Sequence, residues 1–404
     1  MEEAMYQAVP RSQADLKYHN LKLIFDLVKR EGPVSRAALA KRTGLSATSM
    51  TRIVNELLKI GMIAEHSIAS VGTSGRPSTL LEIRSGAAYC LCMDAMPNMS
   101  KVTLVDLAAR NVAYRELYMA EGAPFCQTAE ELRKMLPELC RDAGVSPECV
   151  ACCGISISGH VLETGRISAS SQLQWVDVDG VGILESTLDM PAFVENDCKA
   201  ALLGEQHLLS CAGESTENIA YLKLGWAGVG SAAIVDGRLL RGSRNAAGEI
   251  GHFNAGLEGM RAEKCEYRGS FERTISESAV IERAKEIDSA YGSLASINEG
   301  LKAGDARLQA MLQEVGEYIA IAISDISCAY NPDTIVLGGN LIASCTGCYQ
   351  TVMQFVKKRL TRSVQPNLAV RLTKMGSNAS LYGMSCIAVE QAIQRLLQKS
   401  DTGI

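Results

Sequence analysis

Apolar positions change period along the chain, and each change predicts a new kind of element. Residues 14–31 place Leu21, Leu23, Ile24 and Leu27 at helical spacing. Ser35 to Leu58 then reads as two short helices around a tight turn. Ser35 stands where an N-cap belongs, Ala38, Leu39 and Ala40 favour helix, and Gly44 can take the positive φ that ends one. Ser46 is a second N-cap. It opens Ala47 to Leu58, in which Met50, Ile53, Leu57 and Leu58 recur at core-facing positions. Met62 to His66 and Thr79 to Ile83 are strand-like and flank the turn-rich stretch Val71 to Ser78.

After Arg84 the pattern becomes that of an α/β chain. Ala88 to Met96, Ser100 to Leu107 and Asn111 to Met119 predict three consecutive strands. A helix over Thr128 to Ala143 and a buried strand over Val150 to Ser158 follow. A similar order returns later. Asn218 to Gly225 and Gly228 to Val235 are strands, Asp236-Gly237 is a hairpin turn, and Arg238 to Arg241 continues the meander. Helices come next, near Ser276 to Asp288 and Asp305 to Tyr330, and then a strand over Thr334 to Leu337. Two copies of one β-β-β-α-β theme predict two α/β lobes facing each other across a cleft. An amphipathic helix, Leu381 to Gln398, comes last and is expected to cross back to the first lobe.

The first segment has the layout of a winged helix-turn-helix, which points to DNA. A plain helical hairpin would explain the two helices but not the wing after them. Ser46 opens the second helix, and Thr48, Ser49, Thr51 and Arg52 fall on its outer side. Small hydroxyls and an arginine suit phosphates and base edges in a major groove. Arg76, between Gly75 and Pro77, sits on a stiff loop that can enter a minor groove. Charge agrees with this. Residues 1–84 carry 12 Lys+Arg and 8 Asp+Glu, a balance of +4; the whole chain is −5 (40 minus 45), so the remainder carries −9. A basic head on an acidic body fits nucleic-acid binding by the head alone.

Composition excludes other classes. With 47% hydrophobic and 21% charged residues among 404, the chain is globular and long enough for two or three domains. No stretch reads as a membrane span and no secretory leader is visible, so the expected location is the cytoplasm. The 14 cysteines lie mostly in apolar runs such as Tyr89-Cys90-Leu91-Cys92-Met93 and Cys152-Cys153, where Cys acts as a small hydrophobe. Cys345 and Cys348 form a CxxC without thioredoxin-like flanks.

Four motifs appear in order: Gly154-Ile155-Ser156-Ile157-Ser158-Gly159, Val194-Glu195-Asn196-Asp197, Ala247-Gly248-Glu249-Ile250-Gly251-His252, and Asn331-Pro332-Asp333 leading into Gly338-Gly339. Together they resemble the ROK family of repressors and sugar kinases. The winged helix points to its transcription-factor branch, the xylose-repressor-like and N-acetylglucosamine-repressor-like proteins. The resemblance covers nearly the whole chain and implies the actin/sugar-kinase fold. It also implies a sugar pocket between the lobes. Gly159, Asn196, Asp197, Glu249, His252 and Glu272 match the family's sugar contacts, and carboxylates with an amide can hold adjacent hydroxyls directionally.

The chain departs from the kinases in this group. Asp197 matches their general base. The first phosphate turn, Asp-x-Gly-x-Thr in the family, is here Asp94-Ala95-Met96-Pro97-Asn98, and its proline lacks a backbone donor. The second, Gly-Thr-Gly-x-Gly, is here Trp226-Ala227-Gly228-Val229-Gly230. The family's zinc motif is reduced to His252, Glu263 and Cys265, with Ser270 in a thiolate position, so no metal or cofactor is expected.

The sequence therefore predicts a winged helix-turn-helix over residues 1–84 and a first lobe from 85–194 plus 381–404. A second lobe, residues 195–380, is expected to mediate oligomerisation. The expected function is a DNA-binding repressor of carbohydrate-utilisation genes, such as those of xylose metabolism, without kinase activity. It would bind operator DNA as a homodimer or dimer of dimers and respond to a sugar or sugar derivative. The alternative is an active sugar kinase with a fused DNA-binding head.

Overall fold

The computed structural model describes residues 13–68, 78–253, 270–360 and 367–399. The head begins with α1 (Gln13–Glu31), β1 (Val34–Ser35), α2 (Arg36–Thr43) and α3 (Ala47–Lys59). It ends with β2 (Ile63–Ile68) and β3 (Ser78–Ile83). The caps fall where the sequence places them. Ser35 accepts from the Ala38 amide, Gly44 takes φ 68° at the end of α2, and Ser46 accepts from the Ser49 amide to start α3. Strands β2 and β3 pair antiparallel, and β1, which the pattern does not announce, adds to β3 through Val34↔Leu81. The core face of α1 is broader than expected. Phe25 and Val28 are fully buried with Leu21 and Ile24, whereas Leu23 is only partly buried.

The first large sheet is built from β4 (Tyr89–Ala95), β5 (Met99–Asp106), β6 (Asn111–Tyr118), β7 (Val150–Ile157) and β11 (Ala192–Asn196). Helices α4 (Phe125–Ala143) and α5 (Gly180–Leu188) pack with it. Three short strands, β8 (His160–Val161), β9 (Ile167–Ser170) and β10 (Trp175–Val178), form a side sheet. Helix α6 (Asp197–Cys211) leads to the second large sheet: β12 (Ile219–Leu224), β13 (Val229–Val235), β14 (Arg238–Leu239), β15 (Thr334–Gly338) and β16 (Ala369–Leu372). Its helices are α7 (Ser270–Ile275), α8 (Glu277–Ile287), α9 (Leu294–Lys302), α10 (Ala306–Tyr330), α11 (Asn340–Ser344) and α12 (Cys348–Arg359).

The two sheets share one topology. Their orders are β11-β7-β4-β5-β6 and, read from the same side, β16-β15-β12-β13-β14. In each, an antiparallel hairpin joins parallel strands supplied later in the chain. Parallel strands deliver their carboxyl ends to one edge, where open α/β sheets place their ligand crevice.

The last helix, α13 (Ala379–Lys399), packs on β4, β7 and α6. Its Ala388, Val389, Ala392, Ile393 and Leu397 share a single apolar core with Leu21, Ile24 and Phe25 of the head and Cys90, Cys92 and Cys152 beneath. Lys22 of α1 reaches Asp26 at 2.6 Å and Glu390 of α13 at 3.1 Å. The head is thus packed on the body, not merely tethered to it. Helices α6 and α13 cross at Gly204 and Gly383, where a Cβ on Gly383 would lie 1.7 Å from the Ala200 carbonyl. No helix among the described residues is long and apolar enough to cross a membrane. All 13 described cysteines are free thiols.

Candidate functional site

A cleft of about 1200 Å³ lies at the carboxyl edges of the two sheets. Gly159, Asn196, Asp197, Glu249, His252 and Glu272, six residues spread over 114 positions of sequence (272 minus 159, plus one), all line it. A few local devices place them. Asn196 ends β11 and caps α6, accepting from the Cys198 amide at 3.0 Å and the Lys199 amide at 3.1 Å. Its amide nitrogen donates to the Gly159 carbonyl at 2.9 Å, tying the β7–β8 turn to the helix start. Much of its hydrogen-bonding capacity is therefore used within the protein, leaving mainly the second amide hydrogen for a ligand.

Asp197 opens α6. One carboxylate oxygen accepts from the Cys198 amide at 2.9 Å, and the other is held by Lys223 Nζ at 2.5 Å. Lys223 also donates to Ser380 at the start of α13, at 3.2 Å. Nearby Asp94, at the end of β4, is 4% exposed and accepts from Ser156 at 2.8 Å. Burial pushes the Asp94 carboxyl up, and Lys223 opposes that shift. Burial works against the charge on Lys223, but Asp197 and Asp94 together overcome it and hold the ammonium above its ordinary range. Two carboxylates thus share a lysine at the cleft floor. Sequence reading missed Lys223, which looks like an exposed position in an otherwise apolar strand.

The Glu249–His252 turn depends on glycine. Gly248 has φ 99°, and a Cβ there would lie 2.1 Å from the Ser231 carbonyl. Ser231 in turn donates both its amide (2.9 Å) and hydroxyl (3.0 Å) to the Gly248 carbonyl. The turn so fixed presents Glu249 and His252 into the cleft, 4.0 Å apart and each 47% exposed. Glu272, on α7, lies against Gly228 of the β12–β13 turn.

The turns expected to cradle phosphates line the same cleft. The Met96 amide is occupied by the Ser100 hydroxyl at 3.1 Å, and Pro97 has no amide hydrogen. The Gly225–Gly228 turn is closed by its own backbone bond at 2.9 Å and projects Trp226, 56% exposed, into the cleft. Of the three residues left from the zinc motif, Glu263 and Cys265 lie outside the described residues. A hydroxyl and a carboxylate in place of thiolates make a donor set that does not fit a structural zinc. Burial pushes the Cys345 thiol up to about 11, the reverse of a reactive thiolate.

On the head, Ser46, Thr48, Thr51 and Arg52 are exposed along α3, and Ser49 is partly so. Ser46 is engaged as the cap and bonds Ser49 at 3.0 Å; Thr51 donates back to the Ala47 carbonyl at 2.9 Å. Thr48 and Arg52 remain the side chains best presented outward. Asn55, absent from the sequence expectation, continues the same exposed face at i+7 from Thr48. Arg76 lies outside the described residues.

The ROK family model matches residues 91–391, and a winged helix-turn-helix DNA-binding model matches residues 19–64. The chain is similar to the xylose repressor of Bacillus subtilis, at 25% identity over 386 residues, covering 95% of this chain and 98% of that one. It has the fold of a ROK family transcriptional regulator homologous to the Escherichia coli Mlc protein, with TM-score 0.79 and 22% identity over 95% of this chain and 98% of that one. A ROK hexokinase from Thermus thermophilus matches at TM-score 0.63 and 24% identity, over 75% of this chain and 98% of its own. This chain therefore belongs to the ROK family and carries a winged helix-turn-helix ahead of its ROK fold.

Proposed function

We propose that this protein is a transcriptional repressor of carbohydrate-utilisation genes whose grip on operator DNA changes when a sugar enters the cleft. In this reading residues 1–84 form the DNA head, residues 85–194 with 381–404 the first lobe, and residues 195–380 the second lobe and oligomer contact. Two heads of a homodimer or dimer of dimers would read a palindromic operator in the cytoplasm, with α3 in the major groove. Thr48, Ser49, Thr51, Arg52 and the Ser46 end of the helix make the groove contacts, and Arg76 reaches from the wing. Gly159, Asn196, Asp197, Glu249, His252 and Glu272 hold the sugar.

The observation that carries this reading is the course of α13. Ala379 and Ser380 line the cleft and Ser380 bonds Lys223, while Val389, Ile393 and Leu397 lie in the core of the DNA head. Helix α6 also starts in the cleft, at Asp197, and is locked to α13 at the Gly204–Gly383 crossing. A sugar that draws the two α6/α13 starts together has a rigid route to the head. The similarity to a xylose repressor supports a sugar as effector.

The kinase reading is disfavoured by the floor of the cleft. An aspartate acting as general base must be free to take the proton of a hydroxyl. Asp197 is instead paired with Lys223, beside turns short of phosphate donors. Fluorescence anisotropy on a duplex that the protein selects from a random pool, titrated with and without pentoses and hexoses, tests the proposal. A sugar that changes DNA affinity at least five-fold supports it; ATP-dependent consumption of a sugar would restore the kinase.

A further inference from the structure

We propose that the cleft holds two carbohydrate subsites and that its ligand is a disaccharide, with the second ring lying on the indole of Trp226. The proposal rests on the sugar-cleft reading above and names the class of ligand. The chain has two tryptophans, and they are treated differently. Trp175 is 5% exposed, stacks edge-on with Phe125 at 4.9 Å, and donates its ring N–H to the Ala123 carbonyl at 2.9 Å. That is the usual fate of an indole in a packed lobe. Trp226 is 56% exposed yet lines a concave wall.

Its backbone is not loose. The Gly225 amide bonds the Gly228 carbonyl at 2.9 Å, the Ser278 amide bonds the Trp226 carbonyl at 2.8 Å, and the Glu277 amide bonds the Gly225 carbonyl at 3.0 Å. These bonds fix the backbone that carries the indole, so a ligand stacking there has only the Trp226 side chain to order. Met96, Pro97 and the 73%-exposed Val176 add apolar wall, while exposed Asn340, hydrogen-bonded to the buried Glu277 carboxylate, supplies a polar edge. A sugar ring has that same division: a C–H face for the indole and hydroxyls for an amide.

The cleft's size and charge narrow the occupant. At about 1200 Å³ it exceeds the ~300–1000 Å³ usual for small-ligand pockets, so one ring gripped at Asn196 and Glu249 leaves much of it open. Among the described residues its lining carries five carboxylates (Asp94, Asp197, Glu249, Glu272, Glu277) against three cations (Lys199, Lys223, Arg244). That balance, with the Met96 amide already bonded, disfavours a nucleotide or phosphosugar and favours a neutral ligand.

The test is calorimetry on matched pairs: xylose and xylobiose, glucose and cellobiose, N-acetylglucosamine and chitobiose. Intrinsic fluorescence excited at the red edge of indole absorption is followed in a Trp175→Phe background, where Trp226 is the sole tryptophan. One disaccharide is expected to bind at least ten-fold tighter than its monosaccharide and to shift Trp226 emission to the blue. Trp226→Ala is expected to narrow that gap to under two-fold. Equal affinity for both lengths, or a gap that survives Trp226→Ala, overturns the second subsite while leaving the sugar cleft standing. Quenching of Trp226 by AMP or ATP would overturn it in favour of a retained nucleotide half. If no sugar of either length binds, the sugar cleft itself fails and the second subsite with it.

Discussion

Replacing Lys223 with methionine removes the cation held between two aspartates at the cleft floor. Methionine keeps the length and apolar stem of the side chain, so the change isolates charge. Asp197 is 6% exposed and Asp94 4%, and Lys223 Nζ lies 2.5 Å from Asp197. Removing one partner of such a buried pair costs about 3–5 kcal/mol. The Lys223 side chain is 24% exposed, so water can enter, and the lower figure of ~3 kcal/mol applies. On the scaling for large domains that is a fall in Tm of roughly 6 °C or more.

The pH dependence has a definite sign. Burial already raises the Asp94 carboxyl, and without Lys223 it rises further. A carboxyl whose folded-state pKa exceeds its unfolded one contributes stability below the unfolded value, and loses it as pH rises through the folded value. The variant's deficit should therefore grow as pH rises from 5 to 8. Thermal unfolding followed by circular dichroism at pH 5, 6, 7 and 8 reads this directly. Adding Asp197→Asn should recover part of the lost Tm at pH 8, because one of the two uncompensated carboxylates is gone while Asp94 remains. A variant within 1 °C of the parent at every pH would refute the pairing.

Four further outcomes follow from the same geometry. Gly383→Ala forces a methyl into the Ala200 carbonyl, 1.7 Å away, and should cost about 3 kcal/mol or prevent folding, as read by Tm and soluble yield. Arg52→Ala should weaken operator binding and reduce the slope of log affinity against log salt by about 1, with Tm unchanged. Glu390→Ala removes the partner on α13 that Lys22 of the head reaches. It should reduce the sugar-induced change in DNA affinity at least two-fold while leaving sugar affinity, measured by calorimetry, within error. Gly248→Ala, which puts a Cβ 2.1 Å from the Ser231 carbonyl, should lower sugar affinity at least ten-fold while DNA binding without sugar persists.

The head was legible because its signals are local. A serine, a helix-forming run and a glycine fix α2 within ten residues, and Ser35, Gly44 and Ser46 fall in their expected roles. The two large sheets were legible because one strand order is repeated, and repetition strengthens weak single strands. The side sheet β8–β10 was not, since strands of two to four residues carry no measurable period. Strand β16 is half-buried at every position, which leaves no alternation to read. In the cleft, the glycine turns announced Glu249 and His252. Lys223 stayed hidden because its partner is 26 residues away, and because a single lysine in the otherwise apolar run Ile219–Leu224 looks solvated. The double role of α13 is also invisible in sequence. Its amphipathic pattern says that one face is buried, not that one end lies in the cleft and the other in the DNA head.

The central claim is that cleft and head act on each other. The most direct measurement is the affinity of the full chain for its selected operator duplex across a panel of mono- and disaccharides, with ATP turnover followed in the same samples. The account predicts that one sugar changes operator affinity at least five-fold, that Asn196→Ala abolishes the change, and that no ATP is consumed. Operator affinity indifferent to every sugar, or steady sugar-dependent ATP hydrolysis, would contradict it.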